Sequence, residues 1–393
     1  MRKKLPTSKL PRAVNHVLAS LRASFTSASR FEDRFWQSHL EQLIQSHLSA
    51  GQDDVIESTL TELATIDTDQ AHEWLEHVQA ASQSLNIDID GQKWQVLLVT
   101  SAFSVWTRYQ LPQVTLTKDD EAYLTQGIKQ TVLAPNAVVQ VLPRLLGLDE
   151  LPRSYSETYQ WLERLTNRAF GKRIPLPKTI TLEPNPALLV DTRHLLFAAA
   201  VPEGEPLFRW QADVQLSESQ CQDEWIAYVT PRLSQRMPGC QFHALTPRAY
   251  HSGLELSEQH IRMVAIDCAS SWLHSTLELK HGDLRACIAA VGERTVQEYR
   301  VGYYRAGQTA VIYGTIWPVL EDEEMQQASA IDTFDEITEV LKESGVSHVT
   351  RIPGVLWPES CDDCTAPFFP NVSGELVHID LPDEVFDAPQ HFH

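Results

Sequence analysis

Leu195–Trp210 reads LLFAAAVPEGEPLFRW, and Arg285–Tyr304 reads RACIAAVGERTVQEYRVGYY. Ala199-Ala200-Val201 aligns with Ala289-Ala290-Val291 without a gap, and Glu203 aligns with Glu293. Short apolar runs ending in turn-forming residues read as buried strands. A third run of the same character lies upstream, Trp94 to Trp106 (WQVLLVTSAFSVW). Three strand-opening segments in one chain point to an internal repeat.

The segments downstream of each run strengthen that reading. Helical patterns cover about Asp119–Val132, Asp223–Gln235 and Thr333–Glu343. Asp223-Glu224 and Asp335-Glu336 are expected to start two of these helices, because carboxylates favour a helix N-terminus. Each helix then gives way to a turn, a short strand and a proline: Pro135-Asn136-AVVQVL-Pro143, Pro238-Gly239-CQFHALT-Pro247 and Gly345-VSHVTRI-Pro353. Asn136, Gly239 and Gly345 stand where a helix end favours a left-handed residue. The first two segments add a further helix, Ser156–Phe170 and Ser257–Leu277. The expectation is three β-β-α-β units, two with an added helix, whose strands Val138–Leu142, Gln241–Leu245 and Ser347–Ile352 occupy equivalent places.

Upstream of the repeat the period changes. Phe31, Phe35, Leu40, Leu43, Ile44 and Leu48 make a helical stripe. Asp53 and Asp67 suit caps and Gly51 suits a stop. The fold class is therefore mixed α/β (α+β): a basic arm and helical region over 1–90, units over 91–176, 177–282 and 283–355, and a tail over 356–393.

The 393 residues carry 52 Asp+Glu against 32 Lys+Arg, a formal charge of −20. Residues 1–34 hold eight basic and two acidic side chains, about +6, so the remainder is about −26. A field of that sign repels phosphate backbones, which leaves only the basic arm as a nucleic-acid contact. The arm reads as a solvated tail, or as a strap for an acidic partner or for the protein's own body. No run is long and apolar enough for a membrane helix, and no apolar region follows the basic start. Six cysteines are no disulfide framework and suit a reducing compartment, so a cytoplasmic location is expected.

The tail carries the chemistry. Cys361-Asp362-Asp363-Cys364 can offer two thiolates to one ion, and a closed structural zinc site needs two more ligands. His378 lies fourteen residues past Cys364, and His391 and His393 end the chain. Two other readings stand beside zinc: ordinary cysteines in a surface loop, and a redox dithiol. Asp362 and Asp363 oppose the lowered thiol pKa that a redox pair requires. Cys221, Cys240, Cys268 and Cys287 sit in apolar surroundings and read as buried thiols. His72 and His77 are five residues apart, too far round a helix for a zincin pair. His194, His274 and His281 are single histidines for which a structural role is the default. Trp94, Trp106, Trp210, Trp272 and Trp317 follow apolar runs and belong to the core. No P-loop, dinucleotide fingerprint or nucleophile elbow is present.

The residues also carry a resemblance. The FEDRFW run with Arg34-Phe35-Trp36, Leu207-Phe208-Arg209-Trp210, Val311-Ile312-Tyr313-Gly314 with Trp317-Pro318, and above all CDDCTAPFFPN with Gly374-Glu375-Leu376-Val377-His378 and the ending His391-Phe392-His393, resemble an uncharacterised betaproteobacterial family known only as a domain of unknown function. That family usually has glycine where this chain has Thr365. The resemblance implies that the two cysteines, His378 and the terminal histidines form one set, and implies no activity. Two functions remain open: a binding or regulatory protein with a protein partner or self-association, its tail fixed by zinc, or an enzyme with a site between repeated units.

Overall fold

The computed structural model describes residues 10–107, 114, 116–176, 190–280, 282–320 and 330–380. The start of the basic arm, residues 1–9, lies outside them. Four helices open the described chain: α1 (Arg12–Phe25), α2 (Arg30–Ser49), α3 (Asp53–Ile66) and α4 (Thr68–Gln83). Local chemistry sets their ends. The Ser29 hydroxyl accepts from the Glu32 amide at α2, and Asp67 accepts from the Asp69 and Gln70 amides at α4. Gly51 ends α2 at φ +67°, which a residue without Cβ adopts freely. Asp53 does not cap its own helix. Its carboxylate accepts from Ser154 Oγ and the Ser156 amide, both at 2.9 Å, and so ties α3 to the start of α6 (Tyr155–Ala169). The stripe on α2 buries Leu40, Ile44 and Leu48, but Phe31 and Phe35 stay 84% and 59% exposed, about two turns and one turn too early to reach the core.

The first sheet is built by two units at once. β2 (Gln92–Trp106) runs antiparallel to β4 (Val190–Pro202), with Leu98 opposite Ala198. From β2 the chain passes through α5 (Lys118–Thr131) to β3 (Val138–Leu146), which pairs with β4 rather than β2. From β4 it passes through the short α7 (Arg209–Ala212) and α8 (Glu218–Arg236) to β5 (Gln241–Ala244) and β6 (Arg248–Ala249), which pair with β2. Each unit thus encloses the other's long strand. The order β5-β2-β4-β3 is that of a split β-α-β pair, the ferredoxin-like arrangement. β1 (Ser84–Ile89) extends the β5 edge by pairing with the first half of β2.

Both faces of this sheet are covered, which is why its strands read as continuous apolar runs. Val99, Phe103, Leu195, Phe197 and Ala199 meet α5 and α8 on one face. Val96, Leu98, Leu196, Ala198 and Ala200 meet α1–α4 and α6 on the other.

Helix α9 (Tyr250–Thr276) has 27 residues, about 40 Å at 1.5 Å per residue. Tyr250 packs in the N-terminal core, while Ile266, Ala269 and Leu273 pack in the core of the second sheet. That sheet has the order β10-β7-β8-β9, from β7 (Leu284–Val291), β8 (Glu298–Arg305), β9 (Tyr313–Pro318) and β10 (His348–Leu356). Helix α10 (Ala330–Glu343) leads into β10, which pairs parallel to β7. Residues 359–380 cross this sheet as an arm carrying β11 (Phe369–Pro370) and β12 (Leu376–Val377).

The expected equivalence of the three short strands holds for only two. β3 and β5 take matching places in one sheet, whereas β10 lies directly beside β7 in another. The first two units also lack their expected second strand: Gln92–Trp106 is one unbroken strand that leads to α5. After Pro202 the chain turns, and Phe208 makes only an isolated bridge to Leu133 before α7 begins. Gly239 and Gly345 have positive φ as expected, while Asn136 does not.

Candidate metal centre

Cys361 and Cys364 flank a tight turn closed from inside. The Thr365 amide donates to the Cys361 carbonyl and the Cys361 amide to the Ala366 carbonyl, each at 2.8 Å. Thr365 sits at φ +60°, the left-handed region where its side chain is strained and glycine is at ease.

His378 arrives from the other side of the arm. Its Nε2 lies 3.2 Å from Cys364 Sγ, and its Nδ1 lies 2.7 Å from the Ile379 carbonyl oxygen. A carbonyl can only accept, so Nδ1 carries the proton and Nε2 presents its lone pair toward the sulfurs. Metal-binding histidines are commonly oriented in this way. The ligand atoms of Cys361, Cys364 and His378 all lie within 4.8 Å of one another. Ligands of a tetrahedral zinc ion sit about 3.5–3.8 Å apart, given Zn–S and Zn–N bonds of ~2.3 and ~2.0–2.1 Å. The three residues fit such an ion with small adjustments. Cys364 and His378 are exposed and Cys361 is half-buried. No helix follows the second cysteine among the described residues, so the thiols lack the helix N-terminus that activates redox pairs.

The body holds the arm through a residue that sequence reading missed. Arg300 on β8 is 4% exposed. Its Nη1 donates to the carbonyls of Glu359 and Phe368, both at 2.7 Å, and its Nε donates to Glu298 Oε1 at 2.6 Å. One guanidinium thus clasps the chain just before and just after the cysteine turn. Two residues along, Gly302 faces Gly314 across β8 and β9. A Cβ at Gly302 would collide with the Pro370 carbonyl, and one at Gly314 with the Phe369 ring. The glycines form a flat seat for β11. An arginine inside the apolar run Tyr299–Tyr304 was the available signal, because a charge there requires partners.

Of the five expected ligands, three come together, and His391 and His393 lie outside the described residues. His281 lies outside them as well. The remaining candidates stay apart from the site. His72 pairs with Glu76 and His77 with Glu73 on the solvated face of α4. The His243 ring lies 4.9 Å from that of His260, away from the cysteine turn. Cys221 and Cys287 are buried, Cys240 and Cys268 half-buried. His194 is fully buried, with Nδ1 3.2 Å from Thr100 Oγ1; burial, then the Arg193 charge, pulls its pKa down to about 3. Trp317 is buried, whereas Trp94, Trp106, Trp210 and Trp272 are half-buried.

A cleft of about 480 Å³ joins α3, α4, α6, the start of α9 and the end of β9. Tyr250 and His251 line it. Burial, then the Glu157 and Glu258 charges, pushes the Tyr250 phenol far up, and burial lowers His251 to about 4.

Fold and site together define a mixed α/β protein with a Cys/His cluster able to hold a metal ion. No helix among the described residues is long and apolar enough to cross a membrane. The chain belongs to the family described as "Protein of unknown function (DUF2863)", which matches residues 2–392. No curated protein and no solved structure matches the chain.

Proposed function

We propose that this chain is a cytoplasmic binding or regulatory protein of a betaproteobacterial family, with a structural zinc ion fastening its C-terminal arm to the second sheet. The observation that carries the reading is the convergence of Cys361, Cys364 and a His378 whose free nitrogen faces them. His391 or His393 supplies the fourth ligand, closing the tetrahedron against water and substrate. The metal then does for the arm what a core does elsewhere. It closes a loop in a segment too short and proline-rich to bury much apolar surface.

The alternative is an enzyme with its site between the units, and the cleft beside α9 is the observation in its favour. The shifts there argue for binding. A proton-transfer group works best with a pKa near the operating pH. Tyr250 is moved up and His251 down, so neither exchanges a proton near neutrality.

The test compares wild type with Cys364→Ser and His378→Asn, purified without chelator or affinity-tag metal. Wild type is expected to carry one zinc per chain and to lose protease resistance in the arm after chelation. Both variants are expected to hold substoichiometric metal and to be cleaved in the arm without chelator. Equal metal content and equal cleavage in all three proteins would overturn the proposal.

A further inference from the structure

The α1–α2 hairpin carries a surface patch that the metal centre does not use. Phe31, in the first turn of α2, is 84% exposed, and Phe35, one turn on, is 59% exposed. One exposed phenylalanine is ordinary, but two at i and i+4 form a continuous apolar ridge. The ridge is braced from behind. The Phe35 ring meets Trp36 edge-on at 5.1 Å, Trp36 meets His39 at 5.7 Å, and His39 meets His16 of α1 at 6.3 Å. Trp36 is half-buried, with its ring at the boundary between the ridge and the body. Ser38 and Gln42, which continue the face beyond Phe35, are exposed and polar. The apolar feature is therefore confined to the tip of the hairpin, beside the turn at 26–29.

Cations flank the ridge. Arg30 and Arg34 repeat the i, i+4 spacing one position before the phenylalanines, and Arg22 stands in the last turn of α1 across the loop. All three are exposed, and none forms an ion pair among the described residues. Of the two carboxylates in the same turn, Glu32 is held at the cap, where it accepts from the Ser29 hydroxyl at 2.8 Å and the Ala28 amide at 3.3 Å. Asp33 stands about 200° round the helix from either phenylalanine.

The size of the ridge selects its partner. Two phenylalanines bury about 300–500 Å² when covered, whereas a stable protein interface takes about 800 Å² from each side. A second copy packed antiparallel on α2 would bring the arginine flanks of both copies together. A lipid surface needs less: aromatic rings that dip into the headgroup boundary, a tryptophan beside them, and cations facing anionic headgroups. The net charge of −20 does not forbid this, because charges beyond about 8 Å are screened at physiological salt.

We infer that the tip of the α1–α2 hairpin docks on an anionic lipid surface, with Phe31 and Phe35 inserted at the headgroup boundary and Arg22, Arg30 and Arg34 facing the lipid charge. This is contact without crossing, since no helix among the described residues is long and apolar enough to span.

The experiment is co-sedimentation of the full-length protein with vesicles of phosphatidylcholine alone and with about 30% phosphatidylglycerol, in about 0.15 M salt, where only nearby charges act. Binding to the anionic vesicles and little to the neutral ones is expected. Phe31→Ser/Phe35→Ser should weaken it at least about tenfold, and Arg30→Gln/Arg34→Gln about tenfold, the scale of two buried rings and of two cations near an anionic surface. Phe31→Trp should bind at least as tightly as wild type, because tryptophan favours the interface. Trp357→Ser, which removes a 60% exposed ring just past β10, should leave binding unchanged. The phenylalanines are exposed, so the variants are expected to fold, and equal melting temperatures check this. Absence of binding to anionic vesicles overturns the inference. So does undiminished binding by Phe31→Ser/Phe35→Ser, which would mark a diffuse attraction of charge. Capture of an acidic protein that requires the phenylalanines, with no vesicle binding, would overturn it in favour of a protein partner. Metal content does not enter this test, so its failure leaves the zinc proposal standing.

Discussion

His194 shows how one buried side chain shapes the response of the whole protein to pH. Burial and the Arg193 charge lower its pKa to about 3, and burial lowers His251 and His260 to about 4, with the His243 charge adding to the effect at His260. Each folded pKa lies below the unfolded value of 6.5, so the unfolded chain binds more protons as pH drops below 6.5. Stability is therefore expected to fall between about pH 6.5 and 4, by up to about 1.4 kcal/mol per pH unit for each such histidine. Urea unfolding at pH 7, 6 and 5 measures this, and His194→Gln should flatten the slope by one histidine's share. Asp120 acts in a lower window. Burial opposes its charge, but hydrogen bonds from Thr117, Arg236 and Arg232 outweigh that and bring it to about 2. Its contribution is present above about pH 4 and lost as pH falls through about 2. Asp120→Asn removes the cap on α5 and the ties from α8, and should lower stability by roughly 2 kcal/mol at pH 7, read from the denaturant midpoint. Thr365→Gly should do the reverse, adding about 0.5–1 kcal/mol to the stability of the metal-loaded arm by releasing the strained φ.

At the scale of the element, Gly302→Ala tests the seat of the arm. Nothing in the β8 ladder needs glycine, yet a methyl there displaces Pro370. The variant should keep its far-ultraviolet circular dichroism, while arm amides in hydrogen exchange lose protection. Protected amides in the variant would mean that the arm is held elsewhere. Element boundaries were legible where local chemistry set them. α5 and α6 lie within a residue of their expected ranges because Thr117 and Ser154 cap them. α8 starts five residues earlier than expected, since Ser217 and Gln220 form a capping box that outweighs the acidic pair Asp223-Glu224. α9 starts seven residues early. It serves two cores in turn, so no single apolar face runs along it to mark its beginning. Glycine in a strand often signals close backbone approach, and Gly302 and Gly314 carried that signal without saying what approaches.

Across the whole molecule, the strand-helix-strand order of the first two units was legible and their interlock was not. Apolar runs reveal strands, but which strand lies between two others depends on contacts about a hundred residues apart, such as Val99 with Phe197. The third unit resembles the others in sequence and still builds its own sheet, because its β8 and β9 supply neighbours that the first two units take from each other. The Cys/His cluster was legible in three of its residues, since two cysteines three apart and one distant histidine are a chemical pattern. Its support was not, because Arg300 and the glycine seat matter only once the arm lies across the sheet. The most direct test of the proposal that zinc fastens the arm is zinc K-edge X-ray absorption on protein purified without added metal. The expected result is one zinc per chain, two sulfur neighbours at ~2.3 Å and nitrogen neighbours at ~2.0–2.1 Å, with the sulfur shell lost in Cys361→Ser/Cys364→Ser. A chain free of stoichiometric metal, or a shell of nitrogen and oxygen alone, would contradict it.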